Sequence, residues 1–126
     1  LPGTGGTQRL GRLLGKPRAI ELMASGRTFD FDEAERLGIV DRQIEAASEA
    51  EFLERVFEYA GTFLRPGRSS TAVGHIKRAV QSGLEVPLEA GLALERELQQ
   101  RLFTSEDAKE GIRAFTEKRP PRFLGK

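Results

Sequence analysis

The sequence predicts a mainly α-helical chain that begins with a short α/β segment. Apolar residues recur every three or four positions along most of the 126 residues, which is the spacing of one helix face. Glycine, proline and serine stand at intervals that suit helix ends. Only one short run is β-branched and roughly alternating, the pattern of a strand. We therefore expect several amphipathic helices and one edge strand.

The first two helices are bounded by clear signals. Thr7 is placed to cap a helix over residues 8–14, which Gly15 ends. Pro17 stands in the first turn of a second helix, over 16–25, where its missing N–H group costs nothing.

A third, shorter helix and the strand follow. Asp30 or Asp32 is a suitable N-cap for a helix over 33–37, and Gly38 closes it. Residues 39–44, Ile-Val-Asp-Arg-Gln-Ile, form the strand-like run. Because the run is short, we expect it at the edge of a sheet.

Four longer amphipathic helices are predicted in the rest of the chain. Each begins at a serine or proline, and each carries an apolar stripe that needs a partner surface. They cover about 48–64, 69–83, 87–103 and 105–118, with Ser69 or Ser70 as the cap of the second. Residues 119–123 read as an extended tail.

Composition excludes several classes of function. The chain has 20 Lys and Arg residues against 19 Asp and Glu, so it lacks the positive field that nonspecific nucleic-acid binding needs. It has no cysteine and one histidine, His75. Thiolate chemistry, disulfides and multi-histidine metal sites are therefore excluded. No stretch is apolar enough for a signal peptide or a membrane span.

The sequence opens on Leu1-Pro2-Gly3-Thr4-Gly5-Gly6-Thr7, without an initiator methionine. A chain that starts inside a Pro/Gly turn is expected to be a fragment of a longer protein. The glycine-rich turn also leads into a helix N-terminus, where free N–H groups can face an anion. By itself this signal is weak, and a tight turn whose glycines supply positive φ is the better explanation.

Two ordered sets of residues stand near the two ends of the chain. The first comprises Pro2-Gly3-Thr4-Gly5-Gly6-Thr7-Gln8-Arg9-Leu10, Gly15-Lys16, Ala19, Leu22, Gly26, Glu33-Ala34 and Gly38-Ile39-Val40. The second comprises Phe103, Ser105-Glu106-Asp107, Glu110-Gly111, Ala114-Phe115, Glu117-Lys118-Arg119 and Pro121-Arg122-Phe123. Together they resemble the crotonase superfamily, the enoyl-CoA hydratases and isomerases.

This resemblance implies the C-terminal part of a crotonase fold. In that fold a spiral of ββα units binds the acyl-CoA, and C-terminal helices cover the active site and build a trimer, often paired into hexamers. Residues 1–44 are then the end of the core, and residues 45–126 are the helical oligomerisation region. The two catalytic glutamates and the two oxyanion donors of hydratases would lie before Leu1. The chain alone is therefore expected to be inactive.

The resemblance implies few site residues within the chain. Gly3 matches the glycine whose backbone N–H lies near the catalytic water. Phe115 and Lys118 match positions that contact the CoA nucleotide, often from a neighbouring subunit. No residue is expected to act as catalytic acid or base, or to bind a metal. Three glutamates match structural positions only: Glu21, Glu33 and Glu35.

The same side chains also have simpler interpretations. Phe115 can pack in the apolar stripe of the last helix, and Lys118 can be a solvated charge, as can Arg119 and Arg122. His75 is expected to face solvent or to pack between helices. Tyr59 lies in an apolar stripe and is expected in the core. The leucines of the 87–103 helix cover too few heptads for a coiled coil.

The sequence thus predicts part of an enoyl-CoA hydratase that acts on 2-enoyl-CoA thioesters. The alternatives are an enoyl-CoA isomerase, another crotonase-type enzyme, or a non-catalytic helical assembly module. We expect no cofactor, because coenzyme A belongs to the substrate. The expected partners are the acyl-CoA and further copies of the chain, in a trimer or a dimer of trimers, with no nucleic acid and no membrane. The expected location is cytoplasmic.

Overall fold

The computed structural model describes residues 2–126, so Leu1 lies outside the described residues. It is mainly helical, as predicted. The seven helices of residues 2–126 are α1 Gly6–Leu14, α2 Lys16–Ser25, α3 Phe31–Arg36, α4 Glu49–Gly61, α5 Ser70–Gly83, α6 Leu88–Phe103 and α7 Glu106–Thr116. None of them is long and apolar enough to cross a membrane.

The chain forms two compact units, Leu1–Phe52 and Leu53–Lys126. Their boundary falls inside α4. The sequence suggested a different division, at residue 44, between the end of the core and the oligomerisation region. That division stays a prediction.

In the first unit α1 packs against α2. α2 begins at the predicted residue, with Pro17 in its first turn, and buries Ala19 and Leu22. The prediction that Thr7 caps α1 is wrong. Gly5, in the left-handed region at φ 87°, precedes α1, and Thr7 lies within the helix. The backbone N–H groups of Gln8 and Arg9 instead bond the Gly5 carbonyl at 3.1 and 2.9 Å.

Asp30 caps α3, one of the two alternatives that the sequence offered. Its side chain accepts the Glu33 N–H at 2.8 Å. At the other end of α3 the N–H of Ile39 bonds the Ala34 carbonyl and the N–H of Gly38 bonds the Glu35 carbonyl, both at 2.9 Å. This pair of bonds is a Schellman motif, and Gly38 holds its left-handed position at φ 73°.

The strand expected over residues 39–44 does not form. The residues there make turns, bends and irregular backbone, and no strand occurs anywhere in residues 2–126. A strand is stable only when its N–H and C=O groups pair with a second strand, and the described part of the chain supplies none.

The second unit is built on α5, α6 and α7. α5 packs against α6, and α6 packs against α7. Ser69 caps α5 by accepting the Ala72 N–H, and Ser105 caps α7 by accepting the Ala108 N–H. The buried apolar side chains of this unit are Leu98 and Ala114. α4 is not among the packed helix pairs.

Residues 119–126 return across the ends of α5 and α7. The Phe123 N–H bonds the Pro66 carbonyl at 3.0 Å, and the Phe123 ring lies 3.6 Å from where a Cβ on Gly111 would stand. The Arg65 guanidinium donates to the Leu124 carbonyl at 2.7 Å, and the Thr71 hydroxyl donates to the Gly125 carbonyl at 3.1 Å. The extended tail predicted from the sequence is thus extended but tightly held.

Candidate nucleotide-binding site at the end of helix α7

The site candidates of the second unit lie where α7 ends. α7 stops at Thr116, and the N–H of Arg119 then bonds the Ala114 carbonyl at 3.0 Å. The N–H of Lys118 bonds the Phe115 carbonyl at 3.3 Å. These two bonds repeat the Schellman motif that ends α3. Here the left-handed residue is Lys118, with φ 53°.

Both predicted nucleotide contacts are exposed at this turn. Phe115 is 86% exposed, so it does not pack in the apolar stripe of its own helix. Lys118 is exposed too, and its ammonium has no hydrogen bond or ion pair within residues 2–126. An exposed aromatic face and a cation three residues apart can stack on a base and pair with a phosphate. Whether they do so stays a prediction.

Arg119 is not a freely solvated charge. Its guanidinium forms a two-point contact with Glu110, Nη1 to Oε1 at 2.6 Å and Nη2 to Oε2 at 3.0 Å. It also pairs with Glu117. Glu110 Oε1 accepts the Arg122 N–H as well, at 2.9 Å. Glu110, Arg119, Pro120 and Arg122 line an open groove of ≈ 500 Å³.

This network shifts the ionisation of Glu110. The hydrogen bonds from Arg119, and then that from the Arg122 N–H, lower the pKa of Glu110 to about 2. The same contact raises the pKa of Arg119. Both groups stay charged at neutral pH, so neither is available as a proton donor or acceptor.

Asp107 is the one buried carboxylate among the described residues, with 4% of its surface exposed. Burial alone would raise its pKa. Hydrogen bonds from the Ser69 hydroxyl and from the tail N–H groups outweigh burial and leave the pKa of Asp107 lowered. The Leu124 N–H donates to Oδ1 at 2.7 Å and the Gly125 N–H to Oδ2 at 2.9 Å. Asp107 is therefore a structural anchor for the tail.

Sequence reasoning missed both of these carboxylates. Both residues stood only as members of the second motif set, without a role of their own. Their partners stand at least 9 positions away along the chain, beyond the range of a helix pattern. The available signal was the tail itself, since an extended segment must place its N–H groups on some acceptor.

In the first unit, Gly3 lies in the turn before α1. Its carbonyl accepts the Gly6 N–H at 3.0 Å, and both central residues of the turn have positive φ, Thr4 at 52° and Gly5 at 87°. Gly3 is exposed. The chain therefore reverses sharply there, and the role of its N–H group stays a prediction.

The three glutamates that the sequence matched to structural positions, Glu21, Glu33 and Glu35, each have polar or charged neighbours of their own. Glu33 forms a two-point contact with Arg27, Nη1 to Oε2 at 2.8 Å and Nη2 to Oε1 at 2.5 Å, and the contact lowers the pKa of Glu33. Glu35 accepts a hydrogen bond from the Gln43 amide at 3.0 Å. Glu21 lines an open groove of ≈ 190 Å³ with Arg18.

His75 and Tyr59 lie elsewhere in the second unit. His75 is half-buried and its Nδ1 lies 2.8 Å from the Thr71 carbonyl, so that nitrogen carries the proton. It lines a groove of ≈ 270 Å³ between α5 and α6, together with Glu95. Tyr59 is 43% exposed and meets Phe63 edge-on at 5.3 Å. The prediction that Tyr59 lies in a core is therefore wrong.

Comparison with known proteins agrees with this geometry. The family model for enoyl-CoA hydratase/isomerase matches residues 1–126. The chain belongs to this family, the crotonase superfamily, as its motifs had indicated.

The relatives that it resembles are named hydratases. A probable enoyl-CoA hydratase echA8 of Mycobacterium leprae is 42% identical over 123 residues, 98% of this chain and 46% of that protein. The mitochondrial methylglutaconyl-CoA hydratase of Mus musculus is 39% identical over 99% of this chain and 40% of that protein. The chain thus spans less than half the length of these relatives.

Solved structures match the fold over the same region. The enoyl-CoA hydratase of Bacillus anthracis superimposes with a TM-score of 0.82 at 35% identity, over 100% of this chain and 47% of that one. A structure from Geobacillus kaustophilus HTA426 gives 0.83 at 45% identity, over 98% and 45%. The helical arrangement is therefore that of one part of the crotonase fold.

Proposed function

We propose that the chain is the C-terminal part of an enoyl-CoA hydratase that adds water to 2-enoyl-CoA thioesters. The hydratase names of its relatives support this reaction. The match of nearly the whole chain to less than half of each relative is the observation that carries the proposal. An isomerase is the nearest alternative, since the family includes both reactions.

Within that enzyme the chain supplies binding and assembly, and its chemistry lies elsewhere. A hydratase needs carboxylates tuned as acid and base beside the substrate. The described carboxylates with shifted pKa values are each engaged with a cation or with tail N–H groups: Glu33, Glu106, Asp107 and Glu110. The chain by itself is therefore proposed to be inactive.

Phe115 and Lys118 are proposed to contact the CoA nucleotide of a neighbouring subunit. Their exposure and the free ammonium at the α7 turn support this role. Gly3 is proposed to place its backbone N–H near the catalytic water. The sharp reversal around Thr4 and Gly5 supports a turn that exposes such a group.

The enzyme is proposed to be a trimer or a dimer of trimers without a cofactor of its own. Large apolar side chains that stand exposed support assembly, Phe57 at 70% and Leu88 at 75% among them. The cytoplasmic location also stays a prediction, because the relatives include both bacterial and mitochondrial proteins.

A second candidate is a non-catalytic helical assembly module. The unpacked apolar side of α4 favours it, because such a face is stable only against a partner. This module would bind other chains and leave acyl-CoA unchanged.

Complementation separates the two candidates. The chain is mixed with the part of the Mycobacterium leprae relative that it does not match, and hydration of crotonyl-CoA is followed by the loss of enoyl-thioester absorbance. We expect no hydration by either part alone and hydration by the mixture. A stable complex without hydration would favour the assembly module, and hydration by the chain alone would overturn the proposed division of roles.

A further inference from the structure

Two helices of this chain end in the same motif with different residues at its left-handed position. α3 uses Gly38 at φ 73°, and α7 uses Lys118 at φ 53°. A residue with a Cβ is disfavoured there relative to glycine, roughly tenfold in population. A lysine in this conformation is therefore an outlier that the surrounding contacts must hold in place. Strained residues of this kind cluster at binding sites.

The structure shows what holds Lys118 in this conformation. The next residue, Arg119, is tied back to α7 twice: by its N–H to the Ala114 carbonyl and by its guanidinium to Glu110. Because Arg119 is fixed against the helix, the chain has to reverse direction at residue 118. The Arg122 N–H on Glu110 fixes the following residues as well.

We propose that Glu110 and Arg119 are positioning residues, which hold Lys118 in its left-handed conformation and so place its ammonium at the phosphate of the nucleotide. This inference rests on the proposed contact between Lys118 and the CoA nucleotide. The affinity for the ribose phosphate then depends on the Glu110–Arg119 ion pair, although neither of these two residues contacts the phosphate. Without the pair, residue 118 relaxes to negative φ and the ammonium moves away.

The test compares two nucleotides that differ by one phosphate. Titration of the complex between this chain and the part of the Mycobacterium leprae relative that it does not match measures the dissociation constants of adenosine 3′,5′-bisphosphate and of adenosine 5′-monophosphate. Their ratio reports the contact with the 3′-phosphate alone. We expect the wild type to prefer the bisphosphate about three- to fivefold, the strength of an exposed ion pair. Lys118→Ala should lose this preference.

Glu110→Gln should lose most of the preference although it leaves Lys118 in place. Arg119→Lys keeps the charge but not the two-point contact, and it should give the same loss. Arg119→Lys is the milder change, so it provides the same test if Glu110→Gln does not fold. Glu106→Gln is the matched control, since Glu106 lies on the same helix and, within residues 2–126, its ion pair is with Lys109. It should leave the ratio unchanged.

Lys118→Gly should change stability and binding in opposite directions, which the loss of a purely structural side chain would not do. It should raise the midpoint of urea unfolding, because glycine suits the left-handed position, and it should abolish the preference. Equal ratios in Glu110→Gln and wild type would overturn the positioning role while the lysine contact stands. A wild type without any preference would overturn the lysine contact itself, and the positioning role with it.

Discussion

The paired charges of Glu110 make a specific prediction about acid stability. Its pKa in the folded chain is about 2, below the ordinary value of 4.5. The folded state therefore favours the ionised form, and its contribution to stability is complete above about pH 4.5 and is lost as the pH falls toward 2. Urea midpoints measured between pH 7 and pH 2.5 should fall less steeply in Glu110→Gln than in the wild type.

Equal slopes in this titration would show that Glu110 is not paired in solution.

Asp107 should be the most sensitive carboxylate to substitution. In Asp107→Asn an amide NH₂ replaces one acceptor and faces the N–H groups of Leu124 or Gly125. A buried donor without an acceptor costs about 1–3 kcal/mol. We therefore expect the free energy of unfolding to fall by about 2–3 kcal/mol. Glu106→Gln, next to it but exposed, should change little. Chemical denaturation of the two variants decides the point.

At the scale of elements, the α5–α6 contact depends on small residues. A Cβ on Gly91 would stand 3.2 Å from the Gly83 carbonyl oxygen, whereas a Cβ on Gly74 would meet nothing within 4 Å. Gly74→Ala should therefore stabilise the chain by about 0.5–1 kcal/mol, the gain in helix propensity. Gly91→Ala should gain less or lose stability, because rigid backbone opposes it.

The larger Gly91→Leu substitution should force α5 and α6 apart. Such overpacking typically costs about 1–3 kcal/mol. Thermal unfolding of the three glycine variants gives their order, and a stabilised Gly91→Leu would contradict the close approach of the helices.

Helix ends were the most predictable elements, because their signals are local. The sequence indicated Pro17 in the first turn of α2 and a serine at the start of α7, and the structure confirms both. For α5 it offered Ser69 or Ser70 as the cap, and the structure shows Ser69. The strand over 39–44 was wrong because strand formation depends on a partner that local sequence does not reveal. The Thr7 cap was wrong because the turn at Gly5 lets α1 begin earlier.

The candidate site was only partly predictable for a similar reason. Phe115 and Lys118 came from motif resemblance, and the structure adds that both are exposed. The Glu110–Arg119 pair spans a helix end and a reversal of the chain, so no periodic pattern connects its two members. Long-range pairs of this kind require the folded geometry.

For the whole molecule, the accessible surface area is larger than that expected of an independently folded monomer of the same mass. The chain exposes 10237 Å². A folded monomer of this mass exposes about 6,700 Å², and two separately folded units of this size about 8,000 Å². The surplus is on the scale of a large permanent interface, which agrees with apolar faces that belong against a partner.

The chain should accordingly self-associate when it is isolated. Leu53 and Phe57 stand one helical turn apart on α4, 44% and 70% exposed. Sedimentation should show oligomers that dissociate on dilution, and the double substitution Leu53→Glu with Phe57→Glu should reduce the association. Glu54→Gln, on the same helix, is the control. A strict monomer at high concentration would contradict the interpretation of these faces.

The tail that Asp107 holds also changes how the chain should exchange its amide hydrogens. Final residues usually fray, and their amides exchange with solvent almost freely. Here the Leu124 and Gly125 amides donate to a buried carboxylate, so they should exchange as slowly as amides inside α7. A protease that removes these residues would leave Asp107 with the Ser69 hydroxyl but without its backbone donors, so trimming of the tail would destabilise the folded unit.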